Sequence, residues 1–175
     1  MVSSWLLTPY LETHKISDEL EWPAMHISAK SDYAVRAMIE LAASSGEPQK
    51  CEAIARAQAI PLNFLVNILS DLRRDGIVNS QRGADGGYWL ARSPATISVG
   101  EIIRAVEGEL VLIRGTTPQA LDYNATASAL RDVWVAYRAG IVRVLDGVSL
   151  AQIVAGALPD VVRDLAAPPS AWRLT

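Results

Sequence analysis

Cysteine is nearly absent from this 175-residue chain, and Cys51 is the only one. A lone thiol excludes an internal disulfide and any cysteine-rich zinc site. Histidine is almost as scarce, and His14 and His26 are too isolated to argue for a metal centre. No apolar run reaches the roughly 20 residues that a membrane-spanning helix needs. Residues 1–24 lack the basic start and small-residue cleavage site of a secretory signal. The expected location is the cytoplasm, with no membrane partner. Enzyme chemistry is missing too: there is no Ser/His/Asp arrangement, no phosphate-binding glycine loop ahead of a helix and no metal-ligand spacing. The chain is therefore expected not to be an enzyme, and to use no catalytic residue, metal or cofactor.

A basic excess is also lacking. Sixteen Lys and Arg stand against 19 Asp and Glu, for a net charge of −3. Residues 1–24 carry one Lys against four acids, residues 25–92 eight basic against seven acidic groups, and residues 93–175 seven against eight. Such a chain has no general field to draw in a polyanion. Attraction for nucleic acid has to come from individually placed cations such as Lys30, Arg73, Arg74 and Arg82. Half of the residues are hydrophobic, enough for a real core in one compact domain with an appended dimerisation element.

What is present is concentrated in residues 51–90. Glu52 to Gln58 reads as a short helix with Ile54, Ala55 and Ala59 on one face, where small residues let a second helix cross closely. Ala59–Ile60 is a tight turn. Pro61 suits the first position of a new helix, where a missing N–H costs nothing. Phe64, Leu65, Ile68, Leu69 and Leu72 recur at helical spacing and are expected in the core. Asn63, Val66, Asn67, Ser70, Asp71, Arg73 and Arg74 take the other face. Asp75–Gly76 closes the helix. Ile77–Val78 and Tyr88–Trp89–Leu90 are β-rich, and Gly83, Gly86 and Gly87 between them permit a sharp reversal. Two helices, a turn and a hairpin in this order form a winged helix-turn-helix, a module that places one helix in the DNA major groove. The alternative from residues alone is a helical hairpin in an ordinary α+β core.

From Met25 to about Val106 the chain resembles the Rrf-two family of winged-helix regulators, those of the IscR, NsrR and CymR type. The residues that carry the likeness begin with Ser28 to Ala34, Arg36-Ala37, Ile54-Ala55, Ile60 and Phe64-Leu65. They continue with Leu72-Arg73, Gly76-Ile77-Val78, the wing Arg82-Gly83-x-x-Gly86-Gly87-Tyr88-x-Leu90-Ala91, and Ile97 to Ile102. The wing is the most specific part. The resemblance implies a DNA-binding transcription regulator. Cluster-binding members carry cysteines in the loop before their long helix, whereas residues 107–126 here contain neither Cys nor His. The resemblance is therefore to a cluster-free branch. Asp32 occupies a position that supplies an oxygen ligand in some relatives, but one carboxylate cannot hold a cluster without thiolates. It reads instead as a helix-start residue. The likeness also places Asn67 where a base-reading Gln stands in a cluster-binding member, and Val66 where that member has an acid.

The rest of the chain divides around this module, residues 25–106. Residues 1–24 form an N-terminal extension, read as a docking segment, a flexible tail or a product of an upstream start codon. A first helix opens at Ser28, a good N-cap, and runs to about Ala43 with Ala34, Ala37, Met38 and Leu41 inward. Lys30 and Tyr33 lie near its positive end, where a phosphate is favoured. Ser98 to Glu101 is a capping box opening a helix that ends at Gly108. Residues 107–125 read as a loop or switch. A long helix from Thr126 to Asp146 carries a broad apolar stripe of Leu130, Val133, Trp134, Tyr137, Ile141, Val144 and Leu145. Its simplest cover is the same helix of a second copy. Ser149 to Gln152 is another capping box opening a last short helix, and residues 126–175 make up the dimerisation helix and C-terminal helix. Cys51, near a helix start, reads as a small partly buried residue or as a thiol with a lowered pKa.

The expected fold is mainly α with a small β-wing, a winged helix-turn-helix domain plus a long dimerisation helix. The expected function is a homodimeric repressor that binds double-stranded DNA. Asn63 and Asn67 read bases, Arg82 enters the minor groove, Ser28, Lys30, Tyr33 and Arg73 meet the backbone, and Gly86 and Gly87 shape the wing. A small-molecule or protein effector is left open. The competing functions are a protein-interaction module that has lost DNA binding and a thiol-based redox sensor using Cys51.

Overall fold

The computed structural model describes residues 27–172. The N-terminal extension and both histidines lie outside the described residues. The chain runs α1 (Ala29–Ala43), α2 (Cys51–Ala57), α3 (Leu62–Arg74), β1 (Val78–Gln81), β2 (Gly87–Leu90), α4 (Val99–Glu107), α5 (Leu130–Asp146), α6 (Leu150–Val154) and α7 (Asp160–Ala166), with short 3₁₀ turns between. It is mainly helical with one small antiparallel hairpin, as expected from the pattern.

Helix α1 starts where Ser28 accepts a hydrogen bond from the Ser31 N–H at 3.0 Å, as its capping residue type requires. Ala34, Ala37, Met38 and Leu41 are buried along one face, and α1 packs on α3, α4 and α6. Ile54, Ile60, Leu65, Ile68, Leu69, Leu72, Ile77 and Ile102 complete one continuous core around it.

Two expectations for the second and third helices need correction. Ala59 was expected on the packed face of α2, but α2 ends at Ala57 and Ala59 is exposed in the turn with φ of 50°. Ile60 takes the buried place instead, its N–H bonded to the Ala55 carbonyl at 2.9 Å. Phe64 was expected in the core but is 58% exposed. Leu65, Ile68, Leu69 and Leu72 already fill the i, i+3, i+4, i+7 stripe, and Phe64 falls roughly 100° away from Leu65 around the helix. Its ring meets Tyr33 edge-on instead, with centroids 6.5 Å apart.

The hairpin pairs Val78 with Leu90 through Gln81 with Gly87. Gly83 takes φ of 107° at the reversal. Gly86 is needed for closeness, because a Cβ there would lie 2.2 Å from the Gln81 carbonyl oxygen. Gln49 and Tyr88 exchange two backbone hydrogen bonds of 2.9 and 2.8 Å, which fasten the second strand near the turn to the segment just before α2.

Past the hairpin, Ser98 caps α4 through the Glu101 N–H at 3.1 Å, but only half of the expected capping box forms. The Glu101 carboxylate turns to Arg92 instead. The box at Ser149 and Gln152 is complete. The long helix begins at Leu130 rather than Thr126, because Ala125–Ala127 is a separate 3₁₀ turn. None of its residues is fully buried within the chain.

One side chain joins three of these elements. The Lys30 ammonium, on the first turn of α1, lies 2.9 Å from Asp71 Oδ2 on α3 and donates to the Val106 carbonyl of α4 at 2.6 Å. The Lys30 hydrogen bond holds the Asp71 carboxyl below the usual carboxylate range; burial opposes this, and Arg74 adds to it. A carboxyl with a depressed folded pKa contributes stability above its unfolded value, about 3.9, and loses it as pH falls through the folded value. Asp71→Asn should therefore cost roughly 0.5–1 kcal/mol near pH 7 by urea titration. The gap to the native protein should close as pH falls below the usual carboxylate range. A gap that does not change with pH would assign the loss to something other than this ion pair.

Candidate nucleic-acid interface

Helices α2 and α3 meet at 117°, within the range of helix-turn-helix motifs. With Leu65, Ile68, Leu69 and Leu72 inward, α3 turns Asn63, Asn67, Ser70 and Arg74 outward, at i, i+4, i+7 and i+11. All four are exposed. Amides, a hydroxyl and a guanidinium in one row can donate to and accept from base edges. Leu62 and Val66 flank this row on one side, at 41% and 46% exposure.

The hairpin stands beside α3. Arg73 donates to the Ser80 hydroxyl of β1 at 3.3 Å, joining the end of the helix to the first strand. Arg82 is exposed at the entry to the turn. Lys50, which the sequence reading passed over, donates from its ammonium to the Gly83 carbonyl at 2.8 Å. It brings a further cation to the hairpin tip. Its signal in the sequence was weak, a single Lys just before a short helix. Gly86 and Gly87 are buried, so they form the wing rather than offering surface.

The residues expected to meet phosphate from α1 are already engaged. Ser28 accepts from the Ser31 N–H and donates to the Glu107 carboxylate. Lys30 is bound to Asp71 and Val106. Tyr33 is half-buried between Phe64 and the Arg36 guanidinium, which lies 5.7 Å from its ring centre. Within the chain these three groups connect the start of α1 to α3 and α4. Asp32 pairs with Arg36 at 3.2 Å, in line with its reading as a helix-start residue.

Cys51 is half-buried at the first position of α2. Burial pushes its thiol up from the ordinary value, and the neighbouring Glu52 adds to that. The lowered pKa considered from sequence is thus reversed, because desolvation outweighs any help from a seven-residue helix. Among the described residues no group of three His, Cys, Asp or Glu side chains could hold a metal ion. No single described helix is long and apolar enough to cross a membrane.

On α5 the stripe is open at its first turn and half-buried beyond it. Val133 is 55% and Leu130 38% exposed. Tyr137, Ile141 and Val144 line a cleft of about 750 Å³ against the start of α1 and the end of α4. Trp134 is partly spent within the chain, its indole N–H donating to the Tyr123 hydroxyl at 3.1 Å.

A family model described as "Rrf2: Iron-dependent Transcriptional regulator" matches residues 27–156. The HTH-type transcriptional regulator Rv1287 of Mycobacterium tuberculosis is 46% identical over 143 residues, which is 81% of this chain and 89% of that protein. CymR of Bacillus subtilis is 36% identical over 127 residues, 72% of this chain and 87% of that one. Among solved structures, IscR of T. potens aligns with a TM-score of 0.60 at 36% identity, covering 75% of this chain and 88% of that one. CymR of B. subtilis aligns with a TM-score of 0.62 at 32% identity, covering 75% and 97%.

Proposed function

The chain belongs to the Rrf2 family of winged-helix transcriptional regulators, and from that premise we propose that it is a homodimeric, cluster-free repressor of specific promoters. One observation carries the DNA-reading part. The exposed row of Asn63, Asn67, Ser70 and Arg74 on α3 stands next to a hairpin with an exposed Arg82. Asn67 suits a bidentate contact to adenine, and Arg82 suits a narrow minor groove. Arg73 and Lys50 are the positioning cations for the backbone. Such a protein works where the DNA is, in the cytoplasm, and a dimer seated on a promoter blocks it by occupancy.

The family description names iron, but the donors of this chain do not fit an iron–sulfur cluster. Clusters are held mainly by thiolates. The one cysteine of the chain is half-buried at the start of α2, and the segment between α4 and α5 has no Cys or His. The raised pKa of Cys51 also speaks against a poised redox thiol. Protein purified without oxygen should contain no stoichiometric iron or acid-labile sulfide; a full complement of either would overturn the cluster-free reading.

Dimerisation is supported by the partly open face of α5. Placing carboxylates in a seam between two copies leaves charges buried and unpaired. The double variant Val133→Asp, Tyr137→Asp should therefore run as a monomer in light scattering, and an unchanged dimer mass would put the interface elsewhere.

For DNA, the decisive comparison is a specific site against a scrambled duplex. Asn67→Ala should cost roughly 1–3 kcal/mol and relax preference at one position per half-site. Arg82→Ala should weaken binding most where the flanks are A·T-rich. If neither variant changes the ratio of specific to non-specific affinity, the winged module serves protein interaction instead.

A further inference from the structure

We propose that Leu62 and Val66 form a thymine-methyl reader beside the amide row, so that each half-site is recognised partly by an apolar contact. The proposal rests on the reading of α3 as the DNA-recognition helix and adds to it a class of base contact.

The first two turns of α3 are unusual for a surface meant to meet a polyanion. They hold no charged residue before Asp71, and three large apolar side chains are exposed there. Phe64 is accounted for by its edge-on contact with Tyr33. Leu62 and Val66 have no such use. They are four residues apart on the flank of the helix that also carries Arg73, the residue bonded to the hairpin at Ser80. The apolar pair therefore lies beside the amide row, on the flank of α3 that reaches the hairpin at its far end. Leaving two large apolar groups in water forgoes the free energy of burying them. Their placement is explained if binding buries them.

The major groove offers one apolar group to bury, the C5 methyl of thymine. Leu62 and Val66 are about 6 Å apart along the helix axis. Successive base pairs are about 3.4 Å apart, so the two side chains span roughly two steps of a groove that the helix follows. Asn63 and Asn67 have the same spacing on the neighbouring row. An amide that selects adenine and an apolar group that selects the thymine methyl then favour the same A·T pairs or adjacent ones. Arg73 shares the flank of the pair and exposed Arg74 ends the neighbouring amide row, which fits a phosphate-flanked groove better than an apolar protein surface.

The test uses the full-length protein and a duplex enriched by it from a random-sequence pool. Each thymine is replaced singly by deoxyuridine, which keeps every hydrogen-bonding group and removes only the methyl. One or two positions per half-site should bind about three- to fivefold more weakly. That penalty should vanish in Val66→Ala or Leu62→Ala, while an Asn67→Ala variant should retain it. Specific binding with no thymine penalised, or a penalty unchanged in both variants, would overturn the proposal and leave α3 as a DNA reader. Leu62→Ala and Val66→Ala that spare DNA binding but weaken self-association would assign the pair to a protein interface. Failure to enrich any duplex would overturn the DNA reading itself, and this proposal with it.

Discussion

The contacts of the Lys30 ammonium set the stance of the whole module. One charge on the first turn of α1 is shared between a carboxylate of α3 and a backbone carbonyl at the end of α4. Each contact alone is modest, since the groups are partly solvated. Together they tie α1, α3 and α4 to one another, while burial of Leu65, Ile68, Leu69 and Leu72 decides which residues of α3 face outward. The core under this bracket is aliphatic, with Ala34 and Ala37 fully buried on α1 among leucine and isoleucine side chains. The wing is fastened separately, through the Gln49–Tyr88 backbone pair and the Arg73–Ser80 hydrogen bond. Helix α3 and the wing are thus held against each other as well as against the rest of the module, and such preorganisation spares ordering entropy on binding.

Much of this architecture was legible because the local signals agreed. Ser28 and Ser149 cap helices as their residue types dictate, Gly76 and Gly83 adopt positive φ where turns demand it, and the Leu65 to Leu72 stripe is buried. The misreadings came where two elements compete for one residue. Phe64 fits a helical stripe by type but not by angle. Glu101 fits a capping box by spacing, yet Arg92 captures its carboxylate. Lys30 reads in sequence as a phosphate ligand, and its contacts within the chain could not be read beside that. Its partners, Asp71 and Val106, are 41 and 76 residues away, and no local pattern points to them. Lys50 was invisible for the same reason, since its meaning comes from the hairpin tip that folds back onto it.

The comparisons and the donor set pull in different directions on one point. The family carries iron in its description, and this chain has one half-buried thiol with a raised pKa. The cleft beside α5 joins that helix to Ser28 and Glu107, the groups next to the Lys30 bracket.

The proposed two-fold dimer presents two α3 helices to one duplex. Hydroxyl-radical footprinting of the native protein on an enriched duplex tests this most directly. Two protected backbone segments related by a dyad, about one helical turn or a multiple of it apart, are the predicted result. A single asymmetric segment, or cleavage as uniform as in free DNA, would contradict it.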